Sequence, residues 1–234
     1  MSNEDNEMDP RVFPIKPLSA RQFLDFFPLG MSDEEKDELA AEMEQNVKDL
    51  QTVSEDERRF CEILESVGRE GTVPFIHYLR INGFFTAPGS VVHHSNWKGG
   101  LINHSLKVYD YAMKFREEML KADPALVGEL KEESVAVASL LHDICKMDEY
   151  EIRADGSPAH KPTSVHIGGH GCKSVILALL HGYRLEEDEM LAIIWHMGAS
   201  RIKDLKERTE CEMAKKESAL VRLIIKADHE AAIH

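Results

Sequence analysis

An imidazole and a carboxylate stand side by side at His142-Asp143, at the end of the apolar run Val135-Ala136-Val137-Ala138-Ser139-Leu140-Leu141. A helix that is apolar nearly all round is normally buried. A buried carboxylate is costly unless it is paired or bound to a cation. Asp143 therefore needs a positive neighbour. Lys146, one turn on, supplies one in a plain ion pair; a metal held jointly with His142 supplies another. Further metal-capable side chains sit in or beside apolar helical segments: His104 in Ile102-Asn103-His104-Ser105-Leu106, His170 in Gly169-His170-Gly171 before Val175-Ile176-Leu177, His196 in Ile193-Ile194-Trp195-His196, and Asp228 in Ile224-Ile225-Lys226-Ala227-Asp228. Helical bundles build metal sites this way, with ligands from several facing helices projecting into one core. Neutral imidazoles and carboxylates suit divalent manganese, iron, cobalt, nickel or zinc, and no thiolate is required.

The elements that must position these groups read as helices. Ser19-Ala20-Arg21-Gln22 and Ser32-Asp33-Glu34-Glu35 are capping boxes, starting a short helix to about Phe27 and a longer one to about Leu50. Ser54-Glu55-Asp56-Glu57 is a third and predicts a fresh helix start. A helix through Phe75–Ile81 is stopped by Asn82-Gly83. The irregular stretch 84–98 carries His93, His94, Trp97 and Lys98 just ahead of the His104 helix, and long irregular segments in compact domains are often functional. Asp123-Pro124 is an N-cap followed by proline at the first helical position. Between the His142 helix and the His170 helix, Glu149–Arg153 and Pro158–Lys161 around Asp155-Gly156 suggest a small β-hairpin.

The chain has 234 residues, 43% of them hydrophobic, and a net charge of −14. The acidity is uneven: residues 1–70 hold 19 acids and 8 bases, a balance of −11. This predicts an acidic, partly helical N-terminal extension over 1–52 and a main domain over 53–234. No basic stripe appears, which argues against duplex nucleic acid as a partner. Cys61, Cys145, Cys172 and Cys211 are scattered without a CxxC pair, as expected of reduced thiols. The acidic, polar start is the reverse of a signal peptide, and no apolar run approaches the roughly 18 residues of a membrane helix. A cytoplasmic chain with no membrane partner is the expectation; oligomeric state is not legible.

The strings GGLINHSLKV, SLLHDICK, GGHGCKS, AIIWHMG and IKADHEAA, in this order over roughly residues 70–234, resemble the HD-domain superfamily of metal-dependent phosphohydrolases, in particular bacterial members with extra histidine ligands. The resemblance implies an all-α HD-domain bundle. It implies one metal held by His104, His142, Asp143 and Asp228, and a second held by His170 and His196, with Asp143 bridging the two. Water between two such ions ionises near neutral pH, so the implied chemistry is attack of a hydroxide on a phosphomonoester or phosphodiester of a nucleotide or related small metabolite. Asp143 and Lys146 then carry catalytic roles, and Lys146, His94 and Lys98 are the candidates for substrate contact. Where the family usually has glycine, this chain has Cys145, which reads first as a small buried hydrophobe, with a metal-ligand role as the lesser alternative. An HD-fold di-iron oxygenase uses the same ligand order and is the first rival; a non-catalytic nucleotide-sensing module is the second.

Overall fold

The computed structural model describes residues 19–25, 30–92, 95–162 and 168–233. The chain divides into two compact units, Met1–Thr52 and Val53–His234. The first holds α1 (Ala20–Asp25) and the start of α2 (Asp33–Ser66). Both expected capping boxes are made. Gln22 N donates to Ser19 Oγ while Ser19 N donates to Gln22 Oε1, and Ser32 and Glu35 exchange the same pair of bonds. Arg21 then binds Asp25, Asp33 and Asp37, tying α1 to the first turns of α2.

The helix does not restart at Ser54. It runs unbroken to Ser66, because residues 46–53 contain neither glycine nor proline and nothing terminates it before Ser54 is reached. The second unit begins inside this helix, whose Phe60 and Leu64 are fully buried. It continues with α3 (Thr72–Ile81), α4 (Gly100–Ala122), a 3₁₀ turn Pro124–Gly128 capped by Asp123, α5 (Glu132–Leu141) and a 3₁₀ turn Ile144–Asp148. The expected hairpin follows as β1 (Tyr150–Ile152) and β2 (Pro158–His160), antiparallel with Glu151 opposite Ala159. Then come α6 (His170–Leu180), α7 (Glu187–Trp195), α8 (Leu205–Glu217) and α9 (Ala219–Ile233). The fold is all-α apart from that hairpin. α8 was not foreseen as a separate element: it carries no candidate ligand and buries little beyond Cys211 and Ala214.

The core is the packing of α4 against α5 and α9, with α7 closing on α5 and α9 and α6 lying on α7. α5 is buried from Val135 to Leu141 without interruption, so it runs through the centre and delivers His142 and Asp143 to the interior. Two glycines set the approach of the ligand helices. At Gly100 a Cβ would lie 2.0 Å from the Ser95 carbonyl oxygen, so only glycine lets the start of α4 close on the preceding loop. At Gly171 a Cβ would lie 2.3 Å from the Ile193 carbonyl oxygen, so α6 crosses α7 at backbone contact. A part-buried ion pair adds a tie: half-buried Arg69 grips fully buried Glu189 through both terminal guanidinium nitrogens, at 2.5 and 2.9 Å, and Glu189 also accepts from Glu186 N in the α7 capping box. Among the described residues no helix is long and apolar enough to cross a membrane.

Candidate metal centre

His142 and His196 occupy equivalent places. Each is the residue that ends its helix, α5 or α7. Each ring is tied back by Nδ1 to the carbonyl three residues earlier, Ser139 O at 2.8 Å and Ile193 O at 2.7 Å. A carbonyl accepts only from N–H, so the proton sits on Nδ1 and the Nε2 lone pair is aimed inward. Fixing a ligand's tautomer through its other ring nitrogen is the usual support of a metal-binding histidine. At Asp143 the chain leaves helical geometry, with φ −117° and ψ 15°, which turns the carboxylate in beside the rings.

Around this pair the donors converge. His104 Nε2, from the second turn of α4, lies 3.2 Å from His142 Nε2 and 3.0 Å from Asp228 Oδ1 of α9. Asp143 Oδ2 lies 3.2 Å from His142 Nε2 and 3.8 Å from His104 Nε2. His142 Nε2 and Asp228 Oδ1 are 3.6 Å apart. Metal bonds of about 2.1 Å give neighbouring donors separated by about 3.0 Å in an octahedron and 3.4 Å in a tetrahedron, so these spacings are close to the edges of one coordination shell. On the other side Asp143 Oδ1 faces His196 Nε2 at 3.5 Å. Both atoms are buried and neither has a hydrogen-bond partner, which is costly unless a cation takes both. The residues therefore fit a divalent metal by spacing, by donor chemistry and by these orphaned atoms.

The charges are strongly coupled. Burial raises the Asp143 carboxyl, but the Lys146 ammonium and the His142 and His196 rings outweigh it and hold it well below the ordinary carboxylate range. Lys146 Nζ sits 2.6 Å from Asp143 Oδ2. Burial likewise opposes ionisation of Asp228, yet the hydrogen bond from His104 and the neighbouring rings bring it to about 2. Burial pushes His104 below its usual value, so this ring is a neutral donor.

His104, Asp143, His170, His196, Asp228 and Lys146 all line one cavity of about 1100 Å³. Gly89 and Ser90 of the irregular stretch, Tyr150 of the hairpin and Arg208 and Lys215 of α8 complete much of its wall. Lys98 is exposed and is not part of that wall. His94, like His93 and His166, lies outside the described residues.

His170 is placed differently from the expectation that joined it to His196. It is the first residue of α6, which packs on the 3₁₀ turn following Asp143, and it belongs to a second group of metal-capable side chains, with Cys145 and Glu149. Its Nδ1 is 3.2 Å from Glu149 Oε2 and 3.8 Å from Cys145 Sγ. Glu149 went unnoticed in the sequence because it was read only as the first residue of the hairpin. Its spacing of four from Cys145, in Cys145-Lys146-Met147-Asp148-Glu149, gave no signal, because on a 3₁₀ turn residues three apart share a face and residues four apart do not. Arg208 and Lys215 carried no signal, since α8 was unforeseen.

A family model described as HD domain matches residues 101–233, a span that contains every one of these candidate ligands. No curated protein and no solved structure matches the chain.

Proposed function

The chain belongs to the HD-domain family, and from that premise we propose that it is a metal-dependent phosphohydrolase acting on a phosphomonoester or phosphodiester of a nucleotide or a related small metabolite. The observation that carries the reading is the convergence of His104, His142, Asp143 and Asp228 at spacings of one coordination shell, with a cationic side chain beside them. These four residues would hold one divalent cation. Asp143 Oδ1 and His196 Nε2 offer a second position on the other side of the same carboxylate. When bound, divalent cations acidify water and polarise phosphoryl oxygens.

The chain's own residues do the rest. Asp143 and Asp228 together carry two negative charges, and Lys146 restores one. One divalent ion already makes this group positive, so a phosphate is drawn to it although the chain as a whole is acidic. Lys146 Nζ, held beside Asp143, is within reach of an oxygen of the same phosphoryl group. The cavity, at about 1100 Å³, is at the upper end of small-molecule sites, which suits a nucleotide rather than free phosphate. Arg208 and Lys215 line its wall and are the candidates for contact with the distal part of such a substrate.

The test is a phosphate-release screen over nucleotides with the metal-free protein reloaded with manganese, cobalt, iron, nickel or zinc in turn. Metal-dependent release that disappears in Asp143→Asn is the expected result. Substrate-dependent oxygen uptake by the iron form, or nucleotide binding without turnover under every metal, would overturn the reading.

A further inference from the structure

Cys145 and Glu149 lie behind the cavity wall against His170, which lines it, and no step of the proposed hydrolysis uses the first two. Cys145 is fully buried and Glu149 is 1% exposed. The three donor atoms, one sulfur, one oxygen and one nitrogen, lie within 4.8 Å of one another. We propose that they form a cation site of their own, distinct from the His104–His142–Asp143–Asp228 group, for a borderline-soft divalent metal of the zinc or ferrous class.

Three observations point this way. The first is spacing. Zinc bonds of about 2.3 Å to sulfur and about 2.0 to 2.1 Å to nitrogen or oxygen give tetrahedral edges of roughly 3.6 Å between sulfur and nitrogen and 3.3 Å between nitrogen and oxygen. The observed separations are 3.8 Å for Cys145 Sγ to His170 Nδ1 and 3.2 Å for His170 Nδ1 to Glu149 Oε2. The second is the number of acceptors that Nδ1 faces. His170 Nδ1 faces both the carboxylate and the sulfur, so one cation among them is reached by all three donors at once. The third is charge: a thiolate and a carboxylate cancel a divalent ion, so the filled site is neutral and can be buried without a further counter-ion. Binding releases the thiol proton to solvent.

The surroundings hold the donors in place. Cys145 N donates to Ser174 Oγ of α6, and Lys161 N donates to the Glu149 carbonyl oxygen, anchoring the end of the turn to the hairpin. His170, about a third exposed, lines the cavity, so the fourth coordination position opens on the same space as Lys146 and Asp143. Three protein donors with an open fourth position is the arrangement of reactive rather than purely structural zinc. A thiolate also separates the two centres by preference, since soft donors select zinc and iron over manganese and magnesium.

The experiment is a titration of the metal-free full-length chain with cobalt(II), read by absorption and by bound-cobalt stoichiometry. The wild type should show a thiolate-to-cobalt charge-transfer band in the near ultraviolet. Cys145→Ser should lose the band together with one equivalent of cobalt, and the remaining cobalt should stay bound. His170→Ala, at a partly exposed position that the core does not need, should weaken that equivalent at least about tenfold while the chain keeps its circular dichroism. A wild type without the band, a band that persists in Cys145→Ser, or an unchanged titration of His170→Ala would each overturn the proposal. None of these readouts involves turnover, so the site stands or falls separately from the phosphohydrolase reading.

Discussion

Asp143→Asn tests the metal centre with the least disturbance of shape. The side chain is isosteric and 1% exposed. It now donates at one end where it accepted at both. Three contacts change sign or strength: the 2.6 Å ion pair with Lys146 Nζ, the 3.2 Å approach to His142 Nε2 and the 3.5 Å approach to His196 Nε2. Loss of a residue that only orients a ligand costs 10–100-fold in metal affinity, so loss of this directly placed charge should cost at least about 100-fold. At a metal concentration about 100 times the wild-type Kd, binding stabilises the wild type by about 2.7 kcal/mol. The variant, with its Kd near that concentration, gains only about 0.4 kcal/mol. The difference of about 2 kcal/mol corresponds to a metal-induced rise in Tm smaller by about 4–8 °C for a chain of this size. The comparison is made within each protein, melted with and without metal, because Asp143→Asn also strands the buried Lys146 charge and lowers both melts alike. If the variant keeps the full metal-induced rise, Asp143 is not a ligand and the assignment of the centre fails.

Other substitutions probe the frame and its pH response. Arg69→Ala leaves Glu189 fully buried without its bidentate partner, and breaking such a pair costs about 3–5 kcal/mol; urea unfolding that shifts by less than about 1 kcal/mol would show that the pair is not a structural tie. In the metal-free protein, burial raises Asp228 but the His104 hydrogen bond and the His142 and His196 rings hold it at about 2, against an ordinary 3.8. A carboxyl depressed by folding takes up its proton more readily in the unfolded chain. Its stabilisation is therefore complete above its unfolded value, is lost as pH falls from about 4 to about 2, and amounts to about 2 kcal/mol. Asp228→Asn should flatten the acid limb of the stability curve of the metal-free protein over that window, and an unchanged slope would contradict the assignment.

Much of this architecture was legible because each ligand candidate sits in or beside an apolar stretch. The uninterrupted Val135–Leu141 run announced a buried helix, and the imidazole and carboxylate at its end announced a buried polar site. His104 and Asp228 stand on helices with apolar faces, but that they meet was implied by the HD-domain resemblance; the pattern alone left their partners open, and the structure brings them to 3.0 Å. The hairpin was visible in Asp155-Gly156 between two short extended segments. The errors have physical causes. Ser54 has the residues of a capping box, but local capping is worth only about 1 kcal/mol and nothing ahead of it breaks α2. His170 was grouped with His196 because both lie beside apolar helices. The two do line one cavity; what the sequence did not show is that His170 also lies beside Cys145 and Glu149, a meeting set by α6 landing on the 3₁₀ turn, a tertiary event that leaves no periodicity in the chain.

The bonds from His142 Nδ1 to Ser139 O and from His196 Nδ1 to Ile193 O have a consequence for the order of events. Both rings are locked in rotation by the closing turns of their own helices, so their direction is settled during folding, before any ion arrives. An incoming ion then finds two arms already raised and spends little on ordering them. Swapping one ion for another leaves the scaffold as it was. Fraying of the last turn of α5 or α7, by contrast, frees a ring to spin and disarms the pocket, so amide exchange at Ser139–His142 and Ile193–His196 should report on the readiness of the centre even when no ion is present.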